Sequence, residues 1–168
     1  VHGTLVVADR QTAGKGRRGR VWQSPKGTTI SMSLCLEPKL QVENVAGLTL
    51  VMALAVAKGI LEVTGEQPKI KWPNDIVLNG KKICGILTEM VAEVEKVGCV
   101  VIGMGINVNT MLFPGELSEK ATSLKKEGFE LKRSDIIREI MHEFEKLYTT
   151  YIEYGSKEEV ISVCRKYS

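Results

Sequence analysis

With 168 residues, 43% of them apolar and 26% charged, the chain has the size and make-up of one folded domain with a real core. Its net charge of +3, from 23 basic and 20 acidic residues, is too weak to imply a nucleic-acid binder by itself. The four cysteines (Cys35, Cys84, Cys99, Cys164) form no C-x-x-C, and His2 and His142 lie far from them in sequence, which argues against a zinc site and a disulfide framework. Buried free thiols in a reducing cytoplasm are the expectation. No signal peptide is visible and no uninterrupted apolar run reaches membrane-spanning length, so no membrane partner is expected. The chain opens on Val1 without a Met and reads as a fragment or a processed chain.

Thr4 to Ala8 reads as a short buried strand. Next comes Gly14-Lys15-Gly16-Arg17-Arg18-Gly19-Arg20, three glycines and four cations in seven residues. Such a stretch is costly to order and adds little to a core, so an anionic ligand explains it better than packing does; a solvated basic turn is the plain alternative. Gly14-x-Gly16-x-x-Gly19 spells a dinucleotide fingerprint, but Val21-Trp22-Gln23-Ser24-Pro25 cannot open the helix that fingerprint needs. A P-loop fails too, because Arg20-Val21 follows Gly19 where Lys and Ser or Thr are required. The loop therefore reads as a flexible lid over an anion.

Thr29 to Leu36 alternates apolar and polar residues and predicts a strand, ended by Pro38. Val45 to Val63 is apolar on more than one face and predicts a mostly buried helix stopped by Gly65. Lys69 to Trp72 predicts a short strand, with Lys69 and Lys71 on one face and Ile70 and Trp72 on the other. Pro73 locks the strand end, where Asn74 or Asp75 can bond back, so Lys71 becomes a rigidly held ammonium suited to a phosphate or carboxylate. Ile76 to Leu78, the Asn79-Gly80 turn and a strand from Lys81 to about Val91 predict a hairpin. A turn near Glu95-Lys96 leads to a strand from Val97 to Val108, with Gly103 and Gly105 open to a close approach. Phe113-Pro114-Gly115 breaks the chain. Ser134 to Tyr154, capped by Ser134 and stopped by Gly155, and Ser156 to Tyr167 predict the last two helices. Together these elements give an α+β fold with a mixed, largely antiparallel sheet backed by helices.

Four motifs occur in order: the glycine loop, Lys71-Trp72-Pro73-Asn74-Asp75, Lys82-Ile83-Cys84-Gly85-Ile86-Leu87-Thr88-Glu89, and Gly103-Met104-Gly105-Ile106-Asn107. In this combination the chain resembles the catalytic domain of biotin protein ligases over most of its length. The resemblance implies a fold related to class II aminoacyl-tRNA synthetases and lipoate ligases. It implies that residues 1–168 are one catalytic domain, with a Ser/Thr-Asn motif upstream and a small β-barrel downstream. It also implies two half-reactions: biotin and ATP, with Mg2+, give biotinyl-5′-AMP, and a lysine of a biotin carboxyl carrier domain then takes the biotinyl group.

By the same resemblance, Lys71 and Arg17 would be catalytic, Lys71 contacting the carboxylate and α-phosphate. Gln11 would lie beside biotin. The loop of Gly14, Lys15, Gly16, Arg17, Arg18 and Gly19 would fold over carboxylate and phosphate. The family's usual loop has Arg at the place of Lys15, so the charge is kept and a bidentate fork is lost. Trp22 would pack over adenine, Gly85 would leave room for the biotin ring, and Asn107 would read the adenine edge. Trp22 as a core residue and Asn107 as a strand-end turn residue remain open. A homodimer is compatible with the resemblance, and DNA would be a partner only through a separate N-terminal helix-turn-helix. A lipoate ligase and a nucleic-acid module using the basic loop are the competing readings; the second lacks aromatic interleaving beyond Trp22.

Overall fold

The computed structural model describes residues 2–93, 96–153 and 156–168. Six strands form one sheet: β1 (Thr4–Ala8), β2 (Thr29–Leu36), β3 (Lys69–Lys71), β4 (Asp75–Leu78), β5 (Lys81–Glu93) and β6 (Lys96–Asn107). Their order is β1-β2-β6-β5-β4-β3. All five pairings are antiparallel, so the sheet is not mixed. The α+β class stands. The helices are α1 (Val45–Thr64), the single turn α2 (Leu117–Lys120), α3 (Arg133–Glu153) and α4 (Lys157–Arg165).

The core lies between the sheet and α1. The even residues of β2 (Ile30, Met32, Leu34, Leu36) point into it, as their period-two alternation predicts. Helix α1 is apolar nearly all round because it is covered nearly all round, by the sheet on one side and by α3 and α4 on the other. The Val42–Thr64 stretch is long and apolar enough on average to cross a membrane, but Glu43, Lys58 and Glu62 interrupt it and 72% of its most apolar window is buried inside the fold. Gly65 ends it in the left-handed conformation (φ 73°), its N–H donating to Leu61 O. Asn79 (φ 49°) and Gly80 (φ 77°) make the β4–β5 turn, both in the region such a two-residue hairpin requires.

Four local expectations need correction. Strand β1 is not buried: it is a sheet edge, with Val6 60% and Val7 51% exposed, because only β2 flanks it. Trp72 does not share the buried face of Ile70; it lies past the end of β3 and is 60% exposed. Ser134 sits inside the first turn of α3, which starts at Arg133, so it is not the cap. Two of the four thiols, Cys35 and Cys99, are only half-buried. The proposed stop at Gly155, the helix end at Tyr154 and the turn residue Glu95 lie outside the described residues. Helix α4 starts as expected, with Ser156 accepting from Glu159 N–H.

Candidate functional site

On the sheet face away from α1 lies a cleft of about 190 Å³. Its floor is β6 and β5 at Gly103, Gly105 and Gly85, and its roof is the glycine-rich loop at Lys15, Gly16 and Arg17. The loop is a short folded-back excursion. Trp22 N–H donates to Gly14 O (2.9 Å) and Gly16 N–H to Arg20 O (2.7 Å), so the two arms are laced together. Between them Arg17–Gly19 makes one 3-10 turn, with Arg18 at φ 57° and Gly19 at φ 73°. The exit arm is stapled to β2 by Ser24, whose buried hydroxyl lies 2.7 Å from those of both Thr29 and Ser31.

The loop is also fastened to the far side of the cleft. Asn74 binds β5 twice, donating from Nδ2 to Ile86 O (2.7 Å) and accepting at its carbonyl from Ile86 N–H (2.9 Å). Its Oδ1 is then aimed outward and accepts from Arg17 Nη1 at 2.9 Å. Asn74 therefore clamps the roof to the wall; it does not bond back to the end of β3.

Lys82 is the cation that the strand pattern hides. Alternation from Gly85 would put Ile83 on the cleft face and Lys82 in the core. A bulge intervenes: Ile76 pairs with Cys84 and Val77 with Lys82, leaving Ile83 as an extra residue. The bulge turns Ile83 into the core, fully buried, and aims Lys82 into the cleft. There Lys82 Nζ pairs with Asp75 Oδ1 at 2.7 Å and lies 5.7 Å from the centre of the Trp22 ring. Its backbone is held by Thr122 N–H donating to Lys82 O (2.9 Å). Thr122 in turn donates from its hydroxyl to Glu127, which also accepts from Asn79 (2.6 Å each). Those two bonds hold the Glu127 carboxyl below its ordinary value. A short adjacent pair of apolar residues after Lys-Lys, Ile83-Cys84, is the signal in the sequence that two neighbours share a face.

The structure brings Gln11, Lys15, Gly16, Arg17, Trp22 and Gly85 to the cleft. It does not bring Lys71, which is exposed on the edge strand β3, nor Arg18 and Gly19, which are exposed on the outer turn of the loop. Gly14 lies beneath the lining, buried against the Trp22 carbonyl and the Gln11 side chain. Asn107 is buried at the end of β6 and donates to Thr122 O (3.2 Å). Trp22 covers the glycine floor itself: the indole lies against Gly105, where any Cβ would collide with it, and close to Gly85, where a Cβ would be tight against it. Its Nε1–H is buried without a hydrogen-bond partner among the described residues.

A second hollow, of about 640 Å³, lies between β1 and the start of α3. Its guanidinium, Arg133, is already engaged by Asp9 Oδ1 (2.9 Å) and Thr29 O (3.0 Å). The cleft gathers Lys15, Arg17 and Lys82, of which neither Lys15 nor Arg17 is held by a carboxylate among the described residues, and so is the better anion site. Chemically it offers cations at one end, an apolar wall at Leu87 and Val101, which share the face of Gly103 and Gly105, and the Glu89 carboxylate in its lining.

Comparison with known proteins fits this geometry. Residues 2–107 match the model of the Biotin/lipoate A/B protein ligase family. The chain is 51% identical over 156 residues to the Bifunctional ligase/repressor BirA of Bacillus subtilis (strain 168), covering 91% of this chain and 48% of that one. It thus spans about half the length of that relative. The biotin protein ligase of Aquifex aeolicus in complex with biotin and ATP superposes with a TM-score of 0.86 at 33% identity, over 98% of this chain and 68% of that one. The biotin protein ligase of Leishmania major in complex with biotinyl-5-AMP gives 0.78 at 28%, over 99% and 71%. With its motifs in order, its sheet and its loop-roofed cleft, the chain belongs to the biotin/lipoate A/B protein ligase family, beside the biotin protein ligases.

Proposed function

We propose that residues 1–168 are the catalytic domain of an ATP-dependent ligase that converts biotin to biotinyl-5′-AMP and passes the biotinyl group to a lysine of a biotin carboxyl carrier domain. The observation that carries this reading is the convergence of Arg17 and Lys82, from opposite sides, on one cleft with a glycine floor. In the first step a biotin carboxylate oxygen attacks the α-phosphorus of ATP, the bond to the β-phosphate oxygen breaks, and pyrophosphate leaves. Both the nucleophile and the phosphate are anions, so the chain's task is to hold them together and offset their repulsion. Lys82 supplies a point charge near both, and Arg17 a planar fork from the roof. Lys15 adds charge without a fork. Gln11 lines the same cleft and lies within reach of a bound ring, and Asn107 marks the far end of β6 for the nucleotide.

In the second step the lysine nitrogen attacks the acyl carbon, the carbon–oxygen bond to phosphate breaks, AMP leaves, and the amine loses its proton. No protein nucleophile is required. Mg2+ would enter as the counter-ion of ATP. Among the described residues no three His, Cys, Asp or Glu side chains gather as a metal site, and Glu89 is the one carboxylate lining the cleft. An ion that keeps its waters and the ATP phosphates needs no more than that. A reaction that draws on ATP and a carboxylase subunit suits the cytoplasm, which is the location we propose.

Titration calorimetry on the full chain separates the readings. Biotin should bind with heat and strengthen in the presence of ATP, while lipoate and a DNA oligomer should give none. Salt-sensitive DNA binding without biotin heat would sink the proposal.

A further inference from the structure

We propose that Cys35 and Cys99 form a reversible disulfide, a redox modification site on the cleft face of the sheet that is separate from the ligase chemistry. The two thiols belong to neighbouring strands, β2 and β6, and their sulfurs lie 3.1 Å apart. In register Cys35 faces Val101 and Leu36 faces Val100, so Cys99 stands two residues along from the partner of Cys35, on the same face. The pair is diagonal, the arrangement in which strand twist brings long side chains together. A disulfide needs about 2.05 Å between sulfurs. The remaining gap is about 1 Å, within the swing of one side-chain torsion.

The other two thiols give the contrast. Cys84 and Cys164 are buried, and burial pushes their thiols up to about 12 and about 11. Neither has a cysteine partner, and each is shielded from reagents. Cys35 and Cys99 are half-buried and open on the cleft side, where Val101 beside them lines the wall. Hydrogen bonding to Cys35, then burial, holds the Cys99 thiol above its ordinary value.

The oxidant is a hydroperoxide. One sulfur attacks the O–O bond, becomes a sulfenic acid and releases water (from hydrogen peroxide). The second thiol then displaces a second water and closes the S–S bond. Two electrons pass from the sulfurs to peroxide, and a dithiol such as dithiothreitol returns them.

The test treats the full chain with hydrogen peroxide, blocks remaining thiols, and maps peptides without reduction. A linked peptide containing Cys35 and Cys99, lighter by two hydrogens and lost on adding dithiothreitol, is expected. In Cys99→Ser the Cys35 sulfenic acid should persist and be trapped by dimedone. Separate dimedone adducts on Cys35 and Cys99 in the wild-type chain, or a bridge mapped to another cysteine or between chains, would overturn the assignment. The wild-type map decides the matter even where the variant folds poorly.

Discussion

Lys71 ends the short edge strand β3 and Lys82 stands near the start of the long strand β5; Lys82 faces the cleft and Lys71 faces solvent. If Lys82 holds the reacting anions, Lys82→Ala removes a charge-assisted contact, about 1.5–3 kcal/mol. That is a loss of roughly ten- to a hundredfold in kcat/KM for adenylate formation. Lys71→Ala changes an exposed side chain and should stay within about 0.5 kcal/mol of wild type. Pyrophosphate release by the two variants is the measurement, and a larger loss from Lys71→Ala would reverse the assignment. A second residue-scale prediction concerns Cys84. Its thiol stays neutral to about 12, because the core excludes its charge. In the unfolded chain the same thiol ionises near about 8.5. Above that pH the unfolded state sheds a proton that the folded state keeps, so stability falls as pH rises, by up to about 1.4 kcal/mol per unit. Below it the contribution is flat. Urea unfolding of wild type and Cys84→Ala should therefore differ by a constant below about pH 8 and converge as pH rises past about 9. A difference that never changes with pH would show that Cys84 ionises as readily in the fold as outside it.

At the scale of elements, α1 and α3 cross where Gly59 meets Ile140. A Cβ at Gly59 would come within 2.9 Å of the Ile140 backbone nitrogen and 2.7 Å of its Cγ1. Backbone cannot yield as a side chain tip can, so Gly59→Val should overpack the crossing at a cost of about 1–3 kcal/mol. In a domain of this size that lowers Tm by roughly 2–4 °C per kcal/mol. Unchanged thermal unfolding would mean that the helices slide apart freely. Elements whose signals are local were legible in the sequence: the turn at Asn79-Gly80, the alternation of β2, the mostly apolar helix ending at Gly65. So was the basic loop as a segment set apart from the core, because glycine and charge announce it without a partner; it roofs the cleft. What depended on partners was not legible. The exposure of β1 follows from its place at the sheet edge, which no residue of Thr4–Ala8 encodes. The reach of Lys82 follows from one extra residue, Ile83, in a ladder whose other strand lies several residues away. The role of Asn74 became visible only once β5 and Arg17 were beside it.

At the scale of the whole molecule, the two sheet faces divide the work. One is closed by helices, and the other carries a roof held by a few hydrogen bonds to a rigid wall. Such a roof can open without unfolding the core. Trp22 travels with it, and its place on the glycine floor leaves an indole N–H unsatisfied, a cost of about 1–3 kcal/mol that a better-placed indole would recover. A flat ring that is to lie on Gly85 and Gly105 must first see Trp22 depart. Departure is a first-order event, so the observed binding rate should climb with biotin concentration and then level off at the rate of that departure. The chain reports the event by itself. Of its two indoles, Trp72 lies in solvent outside the cleft and Trp22 lies on the cleft floor, so Trp22 is the one whose surroundings the departure changes. Stopped-flow emission from wild type and Trp72→Phe should show the plateau, and Trp22→Phe should be silent. A rate that stays linear in biotin would mean that the floor is already clear when the ligand arrives.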